Sequence, residues 1–250
     1  MTRALMLLLL LALAAATGAG CAHRRTGRES LPAVPYRDTA DALRILRERA
    51  AAVKTVQSRG TITFIRPDGA SVRMDLAMVS QPPDHLRLRA WKLGRAIFDL
   101  TLTPEGLWLL SPEDPSLRDK VQKANVGAAE IARNWSMLSG EFFNRADLKV
   151  ERQSNDLILI APHDRDLTLR CHVDARALVP WLYLLQDAGN KTRFSLNLDD
   201  YRMLGDLPYP HRIQADSEGG RIIVQLEEVE LNEELAPAAF KPPRRAEKLP

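Results

Sequence analysis

An alternation of apolar and polar residues with a period of two is the feature of this chain that most constrains its fold. It begins near Thr55 and continues, with interruptions, to Leu231. Such alternation places apolar side chains on one face of a strand and polar side chains on the other. Turn sequences separate the alternating runs, among them Arg66-Pro67-Asp68-Gly69 and Pro104-Glu105-Gly106. The sequence therefore predicts an antiparallel meander.

Two segments carry a helical pattern instead. Asp38 or Thr39 can cap a helix that runs to about Val53, and Asn125 can cap a second helix that runs to Leu138. We therefore expect a mainly β (α+β) domain with one strongly curved antiparallel sheet and helices packed on its concave side. The apolar residues of the inner face outnumber what two helices can cover, which predicts an apolar cavity.

The predicted cavity is lined by the inward-facing members of the alternating runs. The alternative is that the two helices fill this space completely. The candidate ligand-binding residues are Phe64, Met74, Leu88, Phe98, Leu100, Leu196 and Leu198.

The N-terminus has the pattern of an export signal. Arg3 precedes an apolar run over residues 4–16, and the small residues of 18–20 lead directly to Cys21. This arrangement resembles the lipobox of bacterial lipoproteins, in which the cysteine is acylated. The alternative is an ordinary secretory signal followed by a chance cysteine. We expect Cys21 to be lipidated, and Ala22 after it implies a lipid anchor in the outer membrane facing the periplasm.

The remaining composition excludes several classes of function. The formal net charge of +3 is small and both signs are well mixed, so nucleic acid is not an expected partner. Cys171 has no expected disulfide partner once Cys21 is lipidated. There is no Gly-rich phosphate loop, no nucleophile elbow and no Cys/His cluster with metal-ligand spacing. We therefore predict no cofactor, no metal and no enzymatic activity.

These patterns divide the chain into four parts. Residues 1–20 are predicted to be a lipoprotein signal peptide, and residues 21–36 the lipidated cysteine with a flexible tether. Residues 37–243 are predicted to form the folded domain, and residues 244–250 a C-terminal tail.

Three stretches of the sequence resemble the LolA/LolB-like family of lipoprotein carriers and receptors. They are Gln57-Ser58-Arg59-Gly60, the run from Arg87 to Arg95, and Phe240-Lys241-Pro242-Pro243. The resemblance implies an incomplete β-barrel, closed by helices, whose apolar interior takes up acyl chains. It also implies a membrane-inserting loop after the third strand, with Leu93 at its tip and Trp91 beside it. The alternative for Leu93 is that it folds back onto the sheet edge.

The leading hypothesis is therefore a membrane-anchored protein that binds acyl chains of lipoproteins or other lipids and transfers them to the outer membrane. Its expected partners are membrane lipid, acylated cargo and a periplasmic donor of the LolA type. The alternative is a structural lipoprotein of the cell envelope that uses the curved sheet to dock a protein partner.

Overall fold

The structure is a computed structural model that describes residues 27–112, 135, 137–164 and 166–249. The predicted signal peptide, Cys21 and most of the second predicted helix lie outside the described residues. Within them, no helix is long and apolar enough to cross a membrane.

The fold is built on one antiparallel sheet of 13 strands, which confirms the predicted mainly β class. Its order is β13-β5-β4-β3-β2-β1-β12-β11-β10-β9-β8-β7-β6, and the edge strands β13 and β6 do not pair with each other, so the sheet formed by the described residues is not closed into a barrel. The strands are β1 (Val56–Ile65), β2 (Ser71–Gln81), β3 (His85–Lys92), β4 (Arg95–Thr103), β5 (Gly106–Leu110), β6 (Lys149–Gln153), β7 (Asp156–Asp164), β8 (Leu167–Asp174), β9 (Val179–Asp187), β10 (Thr192–Leu204), β11 (Leu207–Ser217), β12 (Gly220–Leu231) and β13 (Glu247–Leu249).

Helix α1 (Thr39–Ala52) packs on one face of this sheet. The side chain of Asp38 caps it by accepting a hydrogen bond from the Asp41 amide at 2.8 Å, as the sequence predicts. Ala42 and Leu46 are buried against strands of the sheet. We refer to the sheet face under α1 as the inner face.

The inner face follows the predicted period of two across neighbouring strands. On β1, for example, Ile62 lies opposite Met74 of β2 and Val224 of β12, so all three side chains share this face. β1 joins the two halves of the sheet through a bulge at Arg59 and Gly60. A side chain at Gly60 would lie 2.0 Å from the carbonyl oxygen of Gln225, so only glycine permits this approach.

The sheet bends toward its inner face. β1 and β4 are separated by two strands, which would place them about 14 Å apart in a flat sheet. Yet the rings of Phe64 on β1 and Phe98 on β4 meet edge to face with centroids 6.3 Å apart. The inner face is therefore concave in this half of the sheet.

The folded part extends beyond the predicted bounds of 37–243 on the N-terminal side. Residues 28–30 form a short 3-10 helix, and Leu31 is buried in the core. Arg176 holds this segment by donating hydrogen bonds to the carbonyl oxygens of Leu31 and Arg28 at 2.6 and 2.7 Å. The described end of the predicted tether is thus packed against the sheet.

The predicted C-terminal tail is likewise part of the sheet. Arg87, which pairs with Asp99 at 2.8 Å, also donates to the carbonyl oxygen of Ala239 at 3.1 Å, so the C-terminal segment covers the outer face there. The chain then forms β13, where Leu249 is buried opposite Leu107. Three residues are too few to show an alternating pattern, which is why the sequence does not reveal this strand.

Candidate functional site

A small cavity lies between α1 and the inner face. Its volume is about 100 Å³, and most of its lining is apolar. The lining comes from α1, from β1 and β2, from strands β9 to β11 and their connections, and from Trp135 and residues between 137 and 143. Representative lining side chains are Leu46, Val56, Met137, Phe143, Leu198 and Tyr209.

Two polar atoms in this lining are buried without a hydrogen-bond partner. They are the hydroxyl oxygen of Ser80 and the indole Nε1 of Trp135. Ser80 is 0% exposed and Trp135 is 6% exposed. Buried polar groups in folded proteins are nearly always hydrogen-bonded, so both atoms call for an explanation.

The single charged side chain in the described lining is already engaged. Arg49, on α1, donates from Nη1 to the carbonyl oxygens of Ala177 and Leu178 at 2.8 and 2.9 Å. Burial lowers the pKa of this guanidinium from its usual value. Arg49 therefore fixes α1 to the end of β8 and the start of β9.

A second space, with a more polar lining than the cavity, adjoins it. This groove has a volume of about 500 Å³ and shares Ala50, Val53, Pro82 and Ser139 with the cavity lining. Its own polar lining includes Lys54, Thr55, Gln81, Glu141, Glu233 and Glu234. The mostly apolar cavity therefore lies next to a groove that carries several charged side chains.

The seven residues predicted to line a cavity share the inner face, but they are spread beyond the cavity under α1. Leu198 lines it, and Leu196 is buried in the core cluster under α1. Met74 is buried in a second cluster, against which Phe64, Leu88 and Phe98 pack, while Leu100 packs against a third. Phe64, Leu88, Phe98 and Leu100 stay partly exposed on this face, so their role as ligand-binding residues stays a prediction.

Leu93 lies at the tip of the β3–β4 hairpin. It is 93% exposed, and its φ of 50° is left-handed, as is the φ of 74° at Gly94. Two successive positive φ angles are typical of a type I′ hairpin turn, which favours Asn-Gly rather than Leu-Gly. Leu93 is therefore unfavourable here in both exposure and backbone conformation.

Trp91 is the second-last residue of β3 and therefore does not belong to the turn. It is partly buried, and it pairs with Asp75 of β2 and Ala96 of β4. Since Ala90 next to it faces inward, the side chain of Trp91 lies on the outer face.

A row of apolar residues crosses the inner face at the same end of the sheet. Phe64 lies between Val72 of β2 and Ile222 of β12 in the register, and the latter two are each 37% exposed. The cavity lies at the other end, near Ser80, which is opposite Leu86 at the start of β3. The seven steps from Leu86 to Leu93 correspond to about 23 Å along the strand.

The described residues hold no group of three or more His, Cys, Asp or Glu side chains placed to bind a metal ion. Cys171 is fully buried, and burial raises the pKa of its thiol well above the usual range. The absence of enzymatic activity stays a prediction.

No family model matches this sequence, and no curated protein matches it either. Solved structures that resemble it in fold include the following three. A DUF1329 family protein from Desulfovibrio piger matches with a TM-score of 0.58 at 10% identity, over 80% of this chain and 94% of its own. The LolA superfamily protein NE2245 from Nitrosomonas europaea matches with a TM-score of 0.54 at 14% identity, over 80% and 97%.

The third structure is a domain named for outer membrane lipoprotein sorting, from Vibrio parahaemolyticus. It matches with a TM-score of 0.51 at 13% identity, over 82% of this chain and 97% of its own. The fold is LolA-like. This finding agrees with the broad resemblance drawn from the sequence, whereas a specific likeness to the LolB branch stays a prediction.

Proposed function

We propose that this protein is a lipid-anchored protein of the cell envelope that binds acyl chains of lipoproteins or other lipids and transfers them to the outer membrane. The LolA-like sheet and its continuous apolar inner face support the binding step. The exposed Leu93 carries the argument for the transfer step.

Leu93 supports membrane contact because both its exposure and its left-handed backbone are unfavourable in the isolated protein. Moving a leucine side chain from water into an apolar environment is worth roughly 1.5–3 kcal/mol, which this side chain forgoes at 93% exposure. The left-handed backbone adds roughly 1–2 kcal/mol for a residue other than glycine. A bilayer that receives the side chain offsets the first cost, and the flanking Lys92 and Arg95 suit anionic headgroups.

Acyl binding requires the inner face to open further. Ligand pockets typically enclose about 300–1,000 Å³, and the cavity under α1 has about 100 Å³. The path of a chain would run from the cavity over the inner-face clusters toward Phe64 and Leu93. Loosening of α1, which Arg49 holds to two carbonyl oxygens, would widen this path.

A fluorescent fatty acid tests the binding step. The full-length chain is placed in nanodiscs and titrated, with empty nanodiscs as the reference. We expect saturable binding above the partition into the lipid alone. A folded protein that adds no saturable component would contradict the proposal.

A second function is favoured by the small size of the cavity. If the inner face stays filled, the same sheet serves as a docking surface for a protein partner, and the chain is a structural or interaction lipoprotein. The two functions predict different results for the same titration. Native mass spectrometry of the purified chain adds a second criterion, because only the carrier should retain lipid.

The anchor is part of the proposal. Cys21 would be acylated after cleavage of residues 1–20, and Ala22 would direct the protein to the periplasmic face of the outer membrane. Acylated cargo would arrive from a periplasmic donor of the LolA type.

A further inference from the structure

We propose that Ser80 and Trp135 form a polar anchor that holds the ester carbonyl of an acyl ligand. This inference rests on the proposed acyl binding and adds the chemical group that the cavity recognises. The ligand would be a glyceride ester, with its carbonyl at the anchor and its chain on the apolar inner face.

Ser80 and Trp135 stand out because their polar atoms are buried and have no hydrogen-bond partner. Ser80 continues the inward-facing row of Met74, Leu76 and Met78 on β2, yet it carries a hydroxyl in place of an apolar group. Both side chains line the cavity, and the Ser80 oxygen and the Nε1 of Trp135 are buried without a hydrogen-bond partner. A buried polar group without a hydrogen bond is unfavourable. A ligand that forms hydrogen bonds with both side chains would remove this cost and would be held in one orientation.

Other polar groups around the same cavity do find partners. The hydroxyl of Tyr201 donates to the carbonyl oxygen of Pro180, and Arg49 is bound to two carbonyl oxygens. Ser80 and Trp135 are therefore exceptions within their own surroundings.

The donor types define the class of ligand. An indole N–H can only donate a hydrogen bond, and a serine hydroxyl can donate one as well. Together they suit an uncharged acceptor with two lone pairs, such as a carbonyl oxygen. A phosphate would need a cation, but the one charged residue in the described lining, Arg49, is already committed.

The adjoining groove suits the rest of such a ligand. An ester carbonyl is the boundary between the apolar chain and the polar head of a lipid, and the anchor lies in the cavity that borders the groove. The charged groove residues are Lys54, Glu141, Glu233 and Glu234, so acids outnumber bases. This balance favours an uncharged or basic head over an anionic phosphate.

Infrared spectroscopy with a ¹³C-labelled ester carbonyl tests the anchor directly, because a hydrogen bond lowers the carbonyl stretching frequency and the label separates it from bilayer esters. The probe is methyl palmitate labelled at its carbonyl, added to the full chain in nanodiscs. The variants are Ser80→Ala and Trp135→Phe. Thr101→Val is the matched control, because Thr101 is also fully buried with an unpartnered hydroxyl but does not line the cavity.

We expect a low-frequency carbonyl band in the wild type and in Thr101→Val, weaker in each anchor variant. Affinity for the ester should fall about tenfold in each variant, as expected for one hydrogen bond, while affinity for hexadecane should stay unchanged. Ser80→Ala should unfold no more easily than the wild type, since it removes an unsatisfied group. Measuring the unfolding of this variant separates loss of the anchor from loss of the fold.

Two results overturn the anchor, and they differ from failure of the proposed function. If ester and alkane bind equally well and neither variant changes the ester band, the protein binds acyl chains without an anchor. If neither ligand binds saturably to the folded wild type, acyl binding itself is wrong and the anchor falls with it.

The source of the ester is resolved with two further labelled probes. One is a diacylglyceryl-cysteine peptide with basic residues, and the other is phosphatidylglycerol with the same acyl chains. The acidic groove predicts tighter binding of the peptide. Equal or tighter binding of phosphatidylglycerol would overturn the assignment of the head to an uncharged or basic group.

Discussion

At the scale of single residues, Leu93 offers the sharpest test because stability and function should separate. Leu93→Glu should leave the melting temperature nearly unchanged, since the side chain is 93% exposed. Delivery of acylated cargo into liposomes should fall severalfold, because a carboxylate does not enter the bilayer. A large drop in melting temperature, with normal delivery by the folded fraction, would instead assign Leu93 to the core.

Leu93→Asn is the matched variant for the backbone. Asparagine adopts the left-handed conformation more readily than leucine, so we expect the free energy of unfolding to rise by about 0.5–1 kcal/mol. Chemical denaturation measures this change. The same variant should deliver cargo poorly, which would show that leucine is kept at the expense of stability.

The burial of His211 predicts that the folded state loses stability on acidification. His211 is 3% exposed, its Nδ1 lies 3.1 Å from the carbonyl oxygen of Leu226, and its Nε2 has no partner. Burial lowers the pKa of His211 below its usual value of 6.5. The unfolded chain therefore binds the proton first, and stability should fall as the pH drops below about 6.5.

Urea denaturation at a series of pH values measures this effect. His172, whose pKa is also lowered by burial, contributes in the same direction. His211→Gln should be less stable than the wild type at neutral pH but should lose less stability between neutral and acidic pH. An identical pH dependence in the variant would exclude His211 as a source.

At the scale of elements, the seam between β1 and β12 depends on Gly60. Gly60→Ala would place a carbon 2.0 Å from the backbone oxygen of Gln225, and backbone cannot move aside as a flexible side chain can. We expect a destabilisation of about 3 kcal/mol or more. Gly69→Ala is the control, because no atom lies within 4 Å of the added carbon and only the φ of 83° is unfavourable for alanine. This variant should lower the free energy of unfolding by about 1 kcal/mol.

The elements also show what sequence patterns can and cannot reveal. The long alternating runs of β2, β3 and β4 are readable because apolar side chains face inward and polar side chains face outward. β11 is harder to read from the sequence, because Pro208 and Pro210 interrupt its pattern. β13 was missed because its stability comes from pairing with β5, a contact distant in sequence.

At the scale of the whole molecule, the site was less predictable than the fold. The periodicity identified which residues face inward, but the bending of the sheet decides which of them meet. Trp135 and Ser80 line the same cavity from distant parts of the chain. Of the two, only Ser80 stands out in the sequence, as a serine at an inward-facing position of an alternating apolar run. Phe64 and Phe98 lie on strands that are not neighbours, yet their rings meet edge to face.

The last prediction concerns the attachment of the whole molecule to the membrane. Cys21 should incorporate labelled palmitate in cells, and the protein should fractionate with the outer membrane. Each buried methylene contributes about 0.8 kcal/mol, and two or more chains hold a protein stably where one holds it only marginally. Cys21→Ser should therefore lose both the label and the membrane association.

Cys171→Ser is the matched control for this experiment. Its sulfur is fully buried, and burial raises the pKa of its thiol, so it is not available for acylation. This variant should keep the label and its place in the outer membrane. Wild-type protein without label would refute the lipoprotein interpretation of residues 1–21, and labelled protein in the inner membrane would refute the location implied by Ala22. Either result would also remove Leu93 from reach of the bilayer into which it is proposed to insert.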